Sequence, residues 1–504
     1  MANKINFIDC SLRDGHQSLL ATRMSTEQCM RVLPMLKDSG YDILELWGGA
    51  TLDSAIRFTN DDPWIRLEKF RKCLGPDIQI RSLCRGQNLF GYSPYADKVV
   101  FEFIKEAVRT GNNRIRTFDA LNDPRNLQQA LMATKMFGGH AEAALSYTTS
   151  PVHNIQYFIA FAQGMVDDGC DSIAIKDMAG LLHPADCFAL VEGIRRACGN
   201  IPITLHSHDT NGLAIASYIA GMLAGVNHLD TDHGPMAGAT SQPPIELMLW
   251  FAREAGFETN VKTDHFDKID KELRTIRTEL KEFDANPMLA GHIWPKDPPK
   301  EIRPLITQAL KLIETRDRAK IEDAIAIIED QIMVGQGYPK VDRTQLDAQV
   351  PGGMISNLHN QLKAMGKLEN MARILDEIPR VRQDAGFVPL VTPTSQIVGV
   401  QATFNVNAGA RYAIITKEFR DLMLGKYGRL PGPANQEVVK RCAVDGGEVL
   451  TKRPGLYAEE PDMPKILAEA GNLIQSKKDL LLYVLFAQPA KALFEKRKLN
   501  QVKL

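Results

Sequence analysis

Over the first 256 residues, short β-type apolar runs alternate with longer runs of helical periodicity. "INFID" precedes "TEQCMRVLPMLKDSG", "DILELW" precedes "DPWIRLEKFRKCLG", and "IQIRSLC" precedes "ADKVVFEFIKEAVRTG". "NRIRTFDA", "AEAALSYTT", "DSIAIKDM", "PITLHSHD" and "NHLDTDH" are each followed by a helical run in the same way. Several of these helical runs end in Gly, which suits a left-handed cap. Eight consecutive strand–helix units predict an α/β fold, a (β/α)8 TIM barrel, spanning residues 1–285. An open doubly wound sheet is the competing arrangement, but no Gly-rich phosphate loop follows the first strand.

The texture then changes. Residues 264–284 read as a highly charged helix, and residues 286–342 as a Pro-rich and then helical insertion. "VPGGM" at 350–354 reads as a turn. Residues 343–504 read as a mostly helical domain, with loops at "FVPLVTP" and "GRLPGPAN". No internal repeat is visible.

Composition narrows the function. Lys and Arg number 60 against 61 Asp and Glu, a net charge of -1, which argues against a nucleic-acid binder relying on bulk positive charge. The eight cysteines are scattered without CxxC or zinc spacing, as expected of reduced thiols in a cytosolic protein. No apolar run approaches the ~20 residues that span a bilayer, and "MANKINF" lacks the apolar stretch of a signal peptide. A cytoplasmic location is expected.

Barrel chemistry gathers where strands end. The first strand end supplies Asp14 and Gln17 within the polar cluster Arg13, Asp14, His16 and Gln17. The second supplies Trp47, "GGA" and Asp53, and the third Arg85 and Tyr92. Asp119 follows the fourth strand, Lys176 and Asp177 end the sixth, and His206 and His208 end the seventh. Thr240 and Ser241 follow the eighth. His206 and His208, two apart on a strand, point to the same side. With Asp14 they form a candidate site for Zn, Mn or Co, packed core histidines being the alternative. Lys176 lies within a buried strand, so it is salt-bridged to Asp177 or Asp119, or is a neutral amine that has become a carbamate. Arg85 suits a carboxylate, or is a structural arginine. Thr240 donates a proton or caps the eighth helix.

These residues lie in motifs that carry a family resemblance. "LRDGHQSLLATRM", "WGGATLDSAIRF", "RGQNLFGY", "FDALNDPRN", "SIAIKDMAGLL", "LHSHDTNG" and "TSQPP" together resemble the biotin-dependent carboxyltransferase barrel. "VPGGMISNL", "EIPRVRQDAGFVPLVTPTSQIVGVQATFNV" and "LMLGKYGRLPGPAN" resemble the helical domain that follows it in that family. The resemblance implies a divalent metal held by Asp14, His206, His208 and a carbamylated Lys176. It implies that Gln17 and Arg85 bind a 2-oxo acid such as pyruvate or oxaloacetate. Thr240 would shuttle a proton to the ureido nitrogen of biotin, and Asp53 and Tyr92 would line the biotin and substrate pocket. It also implies a homo-oligomer, such as a homodimer, and a biotin carboxylase or decarboxylase subunit as a further partner.

Three features depart from the resemblance. No "AMKM" biotinylation motif occurs, so a separate biotin carrier protein is expected. Residues 286–342 fall outside the resemblance. Asp232 and His233 stand where the family has small or apolar residues, and are expected to be surface-turn residues. Two other functions compete. "LRDG.Q" and "HSHDTNG" also resemble acetyl-CoA-dependent condensing enzymes and lyases of related barrels. A carrier-binding scaffold without turnover is the non-catalytic reading.

Overall fold

The computed structural model describes residues 3–341, 358, 362, 366–443 and 447–502. Eight parallel strands, β1 (Asn6–Asp9), β2 (Ile43–Gly48), β3 (Gln79–Cys84), β4 (Arg114–Phe118), β5 (His140–Ser146), β6 (Ser172–Asp177), β7 (Ile203–Ser207) and β8 (His228–Thr231), form a closed barrel in chain order. β8 pairs back onto β1, from Asn6 opposite His228 to Asp9 opposite Thr231.

Each strand is followed by its helix. These are α1 (Thr26–Asp38), α2 (Pro63–Leu74), α3 (Asp97–Thr110), α4 (Gln128–Met136), α5 (Ile155–Asp167), α6 (Pro184–Cys198), α7 (Ala214–Ala224) and α8 (Ile245–Glu254). Local signals set their ends. Ser25 and Gln28 form a reciprocal capping box at the start of α1. Asp62 caps α2 with Pro63 in the first turn. Gly111 closes α3 in the left-handed region.

The strands are buried along nearly their whole length, as parallel strands covered on both faces must be. Their inner face is nevertheless charged. Glu45, Arg81, Arg116, Glu142 and Asp230 are all fully buried on the barrel axis. Arg81 donates to Glu45 at 2.6 Å and to both oxygens of Asp230 at 2.9 and 2.7 Å. Arg116 donates to Glu142 at 2.6 Å and Asp230 at 2.5 Å, and Arg114 donates to Glu142 at 2.8 Å. Desolvating a lone ion costs several kcal/mol, and pairing of this quality offsets that cost.

Past the barrel, α9 (Phe266–Glu279) packs on α1, α10 (Arg303–Glu314) on α7 and α8, and α11 (Arg318–Ala326) on α6. Trp294 packs edge-on against Trp250 of α8, with ring centroids 5.5 Å apart. The described part of the 286–342 segment therefore shares the barrel's apolar core. The expected boundary at 342/343 and the "VPGGM" turn lie outside the described residues.

The next helices are α12 (Met371–Asp384), α13 (Thr394–Asn407), α14 (Lys417–Met423) and α15 (Gln436–Cys442). They enclose a second core around Ile378, Val381, Val398, Phe419 and Leu422. This unit docks on the C-terminal mouth of the barrel. Val391 packs with Phe118, Ala144 and Ala174, and Arg382 donates to Thr148 Oγ1 at 2.9 Å. Asn126 Nδ2 donates to Tyr427 O at 2.9 Å. After α16 (Met463–Ala470), helices α17 (Lys477–Leu485) and α18 (Ala487–Val502) return to the barrel, and Leu482, Phe486, Ala490 and Phe494 join its core.

Candidate active site

The chain after β1 makes a π-helical turn, Ser11–Gly15, that folds Asp14 over the barrel mouth. Asp14 Oδ2 lies 3.3 Å from His206 Nε2 and 3.5 Å from His208 Nε2. Lys176 Nζ lies 3.0 Å from His206 Nε2. The β6–β7 register sets Lys176 opposite His206. Four residues from three strand ends therefore converge, all of them buried.

The other ring nitrogens fix how the two histidines present themselves. His206 Nδ1 faces Asp230 Oδ2 at 2.8 Å, and His208 Nδ1 faces the Thr240 carbonyl at 2.6 Å. Both acceptors call for Nδ1–H, which leaves each Nε2 lone pair facing Asp14. That is the arrangement a metal-binding imidazole needs. Asp14, His206 and His208 offer ligand atoms all within 4.8 Å of one another. The donor set, two imidazoles and a carboxylate, suits a divalent transition ion such as Zn, Mn or Co.

The electrostatics agree. Burial opposes ionisation of Asp14, but the charges of Arg13 and Lys176 oppose burial, and its carboxyl sits well below the usual range. Burial, against the pull of Asp14, pushes His208 down to about 4, so it is neutral at pH 7. Burial likewise pushes Lys176 down to about 8, which leaves roughly a tenth of it neutral at pH 7. No ion pair joins Lys176 to Asp177 or Asp119 among the described residues. Asp177 instead accepts from the Leu181 and Leu182 amides and from Ser207 Oγ. The salt-bridge expectation for Lys176 is thereby corrected. A close approach also shapes this side: Gly180 has φ +64°, and a Cβ there would stand 2.5 Å from the His208 carbonyl.

Arg85, Asp53 and Tyr92 form a second group. Arg85 Nη1 donates to the carbonyls of Phe90 and Gly91 at 2.9 and 3.1 Å. Its guanidinium lies 5.0 Å from the Tyr92 ring centre, and the Tyr92 hydroxyl donates to Asp53 at 3.0 Å. Arg85, Asn88, Asp119, Thr394 and Tyr427 line a narrow cleft between the barrel and the helical unit. Burial, then Asp123, pushes Asp119 up to about 7. Gly49 leaves the room Arg85 occupies: a Cβ there would stand 2.3 Å from Arg85 Nη1.

Gln17 and Thr240 join the first group through intermediaries. Arg13 Nη1 donates to Gln17 Oε1 at 3.3 Å while Nη2 donates to Asp14 at 2.9 Å, and Nε bonds Glu45. Thr240 Oγ1 donates to the Ser18 carbonyl at 3.1 Å. Helix α8 has Pro244 as its cap residue and no side-chain cap, so the capping expectation for Thr240 is set aside. Asp232 and His233 are fully buried, which overturns the surface-turn expectation. Both close the end of β8, where the chain is enclosed by the Asp14 loop and the outer helices. Ser241 Oγ donates to Asp232 at 2.5 Å.

Sequence reading places Arg13 in the polar cluster without a role, and misses Asp230 and Gln242 as parts of this site. Gln242 Nε2 donates to Asp14 at 3.1 Å and lies 3.3 Å from His208 Nε2. A usable signal exists: single charges at mid-strand in "DILELW", "IQIRSLC" and "NHLDT" must face the axis.

Known proteins resemble this chain over most of its length. Residues 346–503 match the family described as conserved carboxylase domain, and residues 98–272 match the HMGL-like family. The chain is 36% identical over 498 residues to the methylmalonyl-CoA carboxyltransferase 5S subunit of Propionibacterium freudenreichii subsp. shermanii. That match covers 98% of this chain and 88% of the relative, and so runs across residues 286–342, which lie outside the resemblance drawn from motifs alone. It is 37% identical to a pyruvate carboxylase subunit of Methanocaldococcus jannaschii, covering 96% of this chain and 77% of that protein. It is 34% identical to the 2-oxoglutarate carboxylase large subunit of Hydrogenobacter thermophilus, covering 99% and 69%. The carboxyl transferase domain of Rhizobium etli pyruvate carboxylase, solved with pyruvate and biocytin, superposes with a TM-score of 0.78 at 26% identity. It covers 97% of this chain and 77% of that one. With a closed barrel, a docked helical unit and near full-length relatives of one kind, the chain belongs to the biotin-dependent carboxyltransferase family.

Proposed function

We propose that this chain moves a carboxyl group between biotin, carried on a separate protein, and a 2-oxo acid of the pyruvate/oxaloacetate type. The observation that carries this reading is the convergence of Asp14, Lys176, His206 and His208 at the barrel mouth. Asp14, His206, His208 and a carbamylated Lys176 would hold a divalent ion, which supplies positive charge to an enolate oxygen.

The chain's own residues do the rest. Arg85 keeps Nη1 on two backbone carbonyls, which fixes the plane of its guanidinium. Its Nε and Nη2 make no hydrogen bond among the described residues, and they meet the substrate carboxylate. The Gln17 amide is held by Arg13 and presents to the keto oxygen. Asp53 and Tyr92 line the approach of the biotin ring. In the carboxylation direction, the C–N bond of carboxybiotin breaks and releases carbon dioxide. The ureido nitrogen takes a proton from the methyl carbon of the 2-oxo acid through the Thr240 hydroxyl. That carbon then bonds to carbon dioxide. The helical unit over the mouth excludes water from this exchange. Partners on this reading are the biotin carrier and a biotin carboxylase or decarboxylase subunit, with a second copy of the chain as dimer partner. On this reading the assembly works in the cytoplasm. Among the described residues, no helix is long and apolar enough to cross a membrane.

The test pairs metal content with oxaloacetate decarboxylation, with and without free biotin, on wild type and Lys176→Ala. Near one ion per chain at this site, with biotin-stimulated activity lost in the variant, is expected. Thiol release from acetyl-CoA with a 2-oxo acid, and no biotin effect, would move the assignment to the condensing enzymes that share the HMGL-like barrel.

A further inference from the structure

We propose that His233, Glu246 and Asp270 form a second divalent-cation site, outside the barrel mouth, that clasps the loop bearing Thr240 to the outer helices. This inference is independent of the reading above.

The cluster lies in the layer between strands and helices, which such a fold fills with apolar side chains. His233 follows β8, Glu246 is on α8 and Asp270 on α9. His233 Nδ1 lies 3.2 Å from Asp270 Oδ1 and 3.6 Å from Glu246 Oε1. The three ligand atoms fall within 4.8 Å of one another, and all three residues are buried. The opposite nitrogen, Nε2, lies 3.3 Å from the Tyr41 hydroxyl. An Nε2–H held there leaves the Nδ1 lone pair for an ion.

Charge supplies the second argument. Asp9 is fully buried, and Glu246 and Asp270 are each 4% exposed. None of the three pairs with Lys or Arg among the described residues. Among the described residues, Asp9 accepts only from the Ser11 amide and hydroxyl. Three carboxylates in a dry layer face a single imidazole. A divalent ion on the neutral imidazole offsets two of them, where a proton on the ring offsets one. A third, separate observation is that Glu246 Oε2 is buried with no hydrogen-bond partner.

The placement has a purpose. His233 and Glu246 bracket residues 234–245, which carry Thr240, Ser241 and Gln242. An ion between them and Asp270 fixes both ends of that loop to α9.

The test counts ions on the full-length protein. Wild type, Asp14→Asn and Glu246→Gln are loaded separately with Zn²⁺ and Mn²⁺ at pH 7.5, desalted, and measured by inductively coupled plasma mass spectrometry. Two ions per chain in wild type and one in each variant are expected. One ion in wild type and none in Asp14→Asn would overturn the second site and leave the first standing. One ion in both wild type and Asp14→Asn, lost in Glu246→Gln, would support the second site while removing the first. No ion in any of the three overturns the proposal. Should Glu246→Gln fail to fold, Asp270→Asn takes its place.

Discussion

Asp230 is where the charged floor of the barrel meets the candidate active site, and Asp230→Asn is the sharpest test of that link. The carboxylate accepts from Arg81 twice, from Arg116 and from His206 Nδ1, with no exposure to solvent. Four guanidiniums, on Arg13, Arg81, Arg114 and Arg116, balance four carboxylates, on Asp14, Glu45, Glu142 and Asp230. The amide is isosteric but leaves one positive charge unmatched, at a cost of about 3–5 kcal/mol. That is a large share of the roughly 5–15 kcal/mol that holds a folded domain. All four tryptophans lie in the barrel core, so their fluorescence in urea reports the barrel and not the helical unit. The midpoint should fall at unchanged m-value. Metal affinity should fall about 10–100-fold, since His206 loses the group that orients it. Acid unfolding carries the sign. Arg116 and Arg81 hold the Asp230 carboxyl, against burial, well below 3.8. Its stabilisation is therefore present above the unfolded value and is lost as pH falls below it toward the folded value. The variant should lose that part of the acid transition. A variant within about 1 kcal/mol of wild type, with unchanged metal affinity, would refute the reasoning.

Three further outcomes are expected. Gly49→Ala places a methyl group 2.3 Å from Arg85 Nη1 and 2.7 Å from the Phe90 carbonyl. KM for the 2-oxo acid should rise about tenfold or more, the equivalent of one charge-assisted hydrogen bond of roughly 1.5–3 kcal/mol, with a smaller change in kcat under steady-state assay. Asp119, raised to about 7 beside Arg85, gains its negative charge as pH rises through 7. KM should climb over that range, and Asp119→Asn should flatten the profile; an unchanged profile removes Asp119 from the substrate cleft. Dialysis against a strong chelator should abolish activity, and Zn²⁺, Mn²⁺ or Co²⁺ should restore it; full activity in chelated protein counts against Asp14, His206 and His208 as ligands.

Much of this molecule is legible from its sequence because its signals are local. The barrel shows as eight apolar runs, each followed by a helical run with its own cap. The HxH pair shows because two residues along a strand share a face. Other features depend on partners remote in the chain. Arg81 and Asp230 are 149 residues apart, and Arg116 and Asp230 are 114 apart. Each reads alone as an oddly placed charge. Asp232 and His233 look like turn residues because polarity beside Gly-Pro ordinarily means solvent. Only the fold shows that Ser241 and Asp270 supply their partners. Thr240 looks like a cap because small hydroxyls near helix starts usually are caps, and only the placement of Ser18 redirects it.

The return of α17 and α18 to the barrel has a consequence for how the chain is made. Trp64 Nε1 on α2 donates to the Lys478 carbonyl, and the Tyr95 hydroxyl donates to the Leu485 carbonyl, each at 3.1 Å. Trp64 belongs to the aromatic stack of Trp47, Phe90 and Phe103. A ribosome adding about 5–20 residues per second finishes β8 on the order of tens of seconds before those carbonyls emerge. For that interval the nascent barrel has all its strands but lacks the cover over α2 and α3. Helices α17 and α18 thus complete, late in synthesis, an element begun more than four hundred residues earlier.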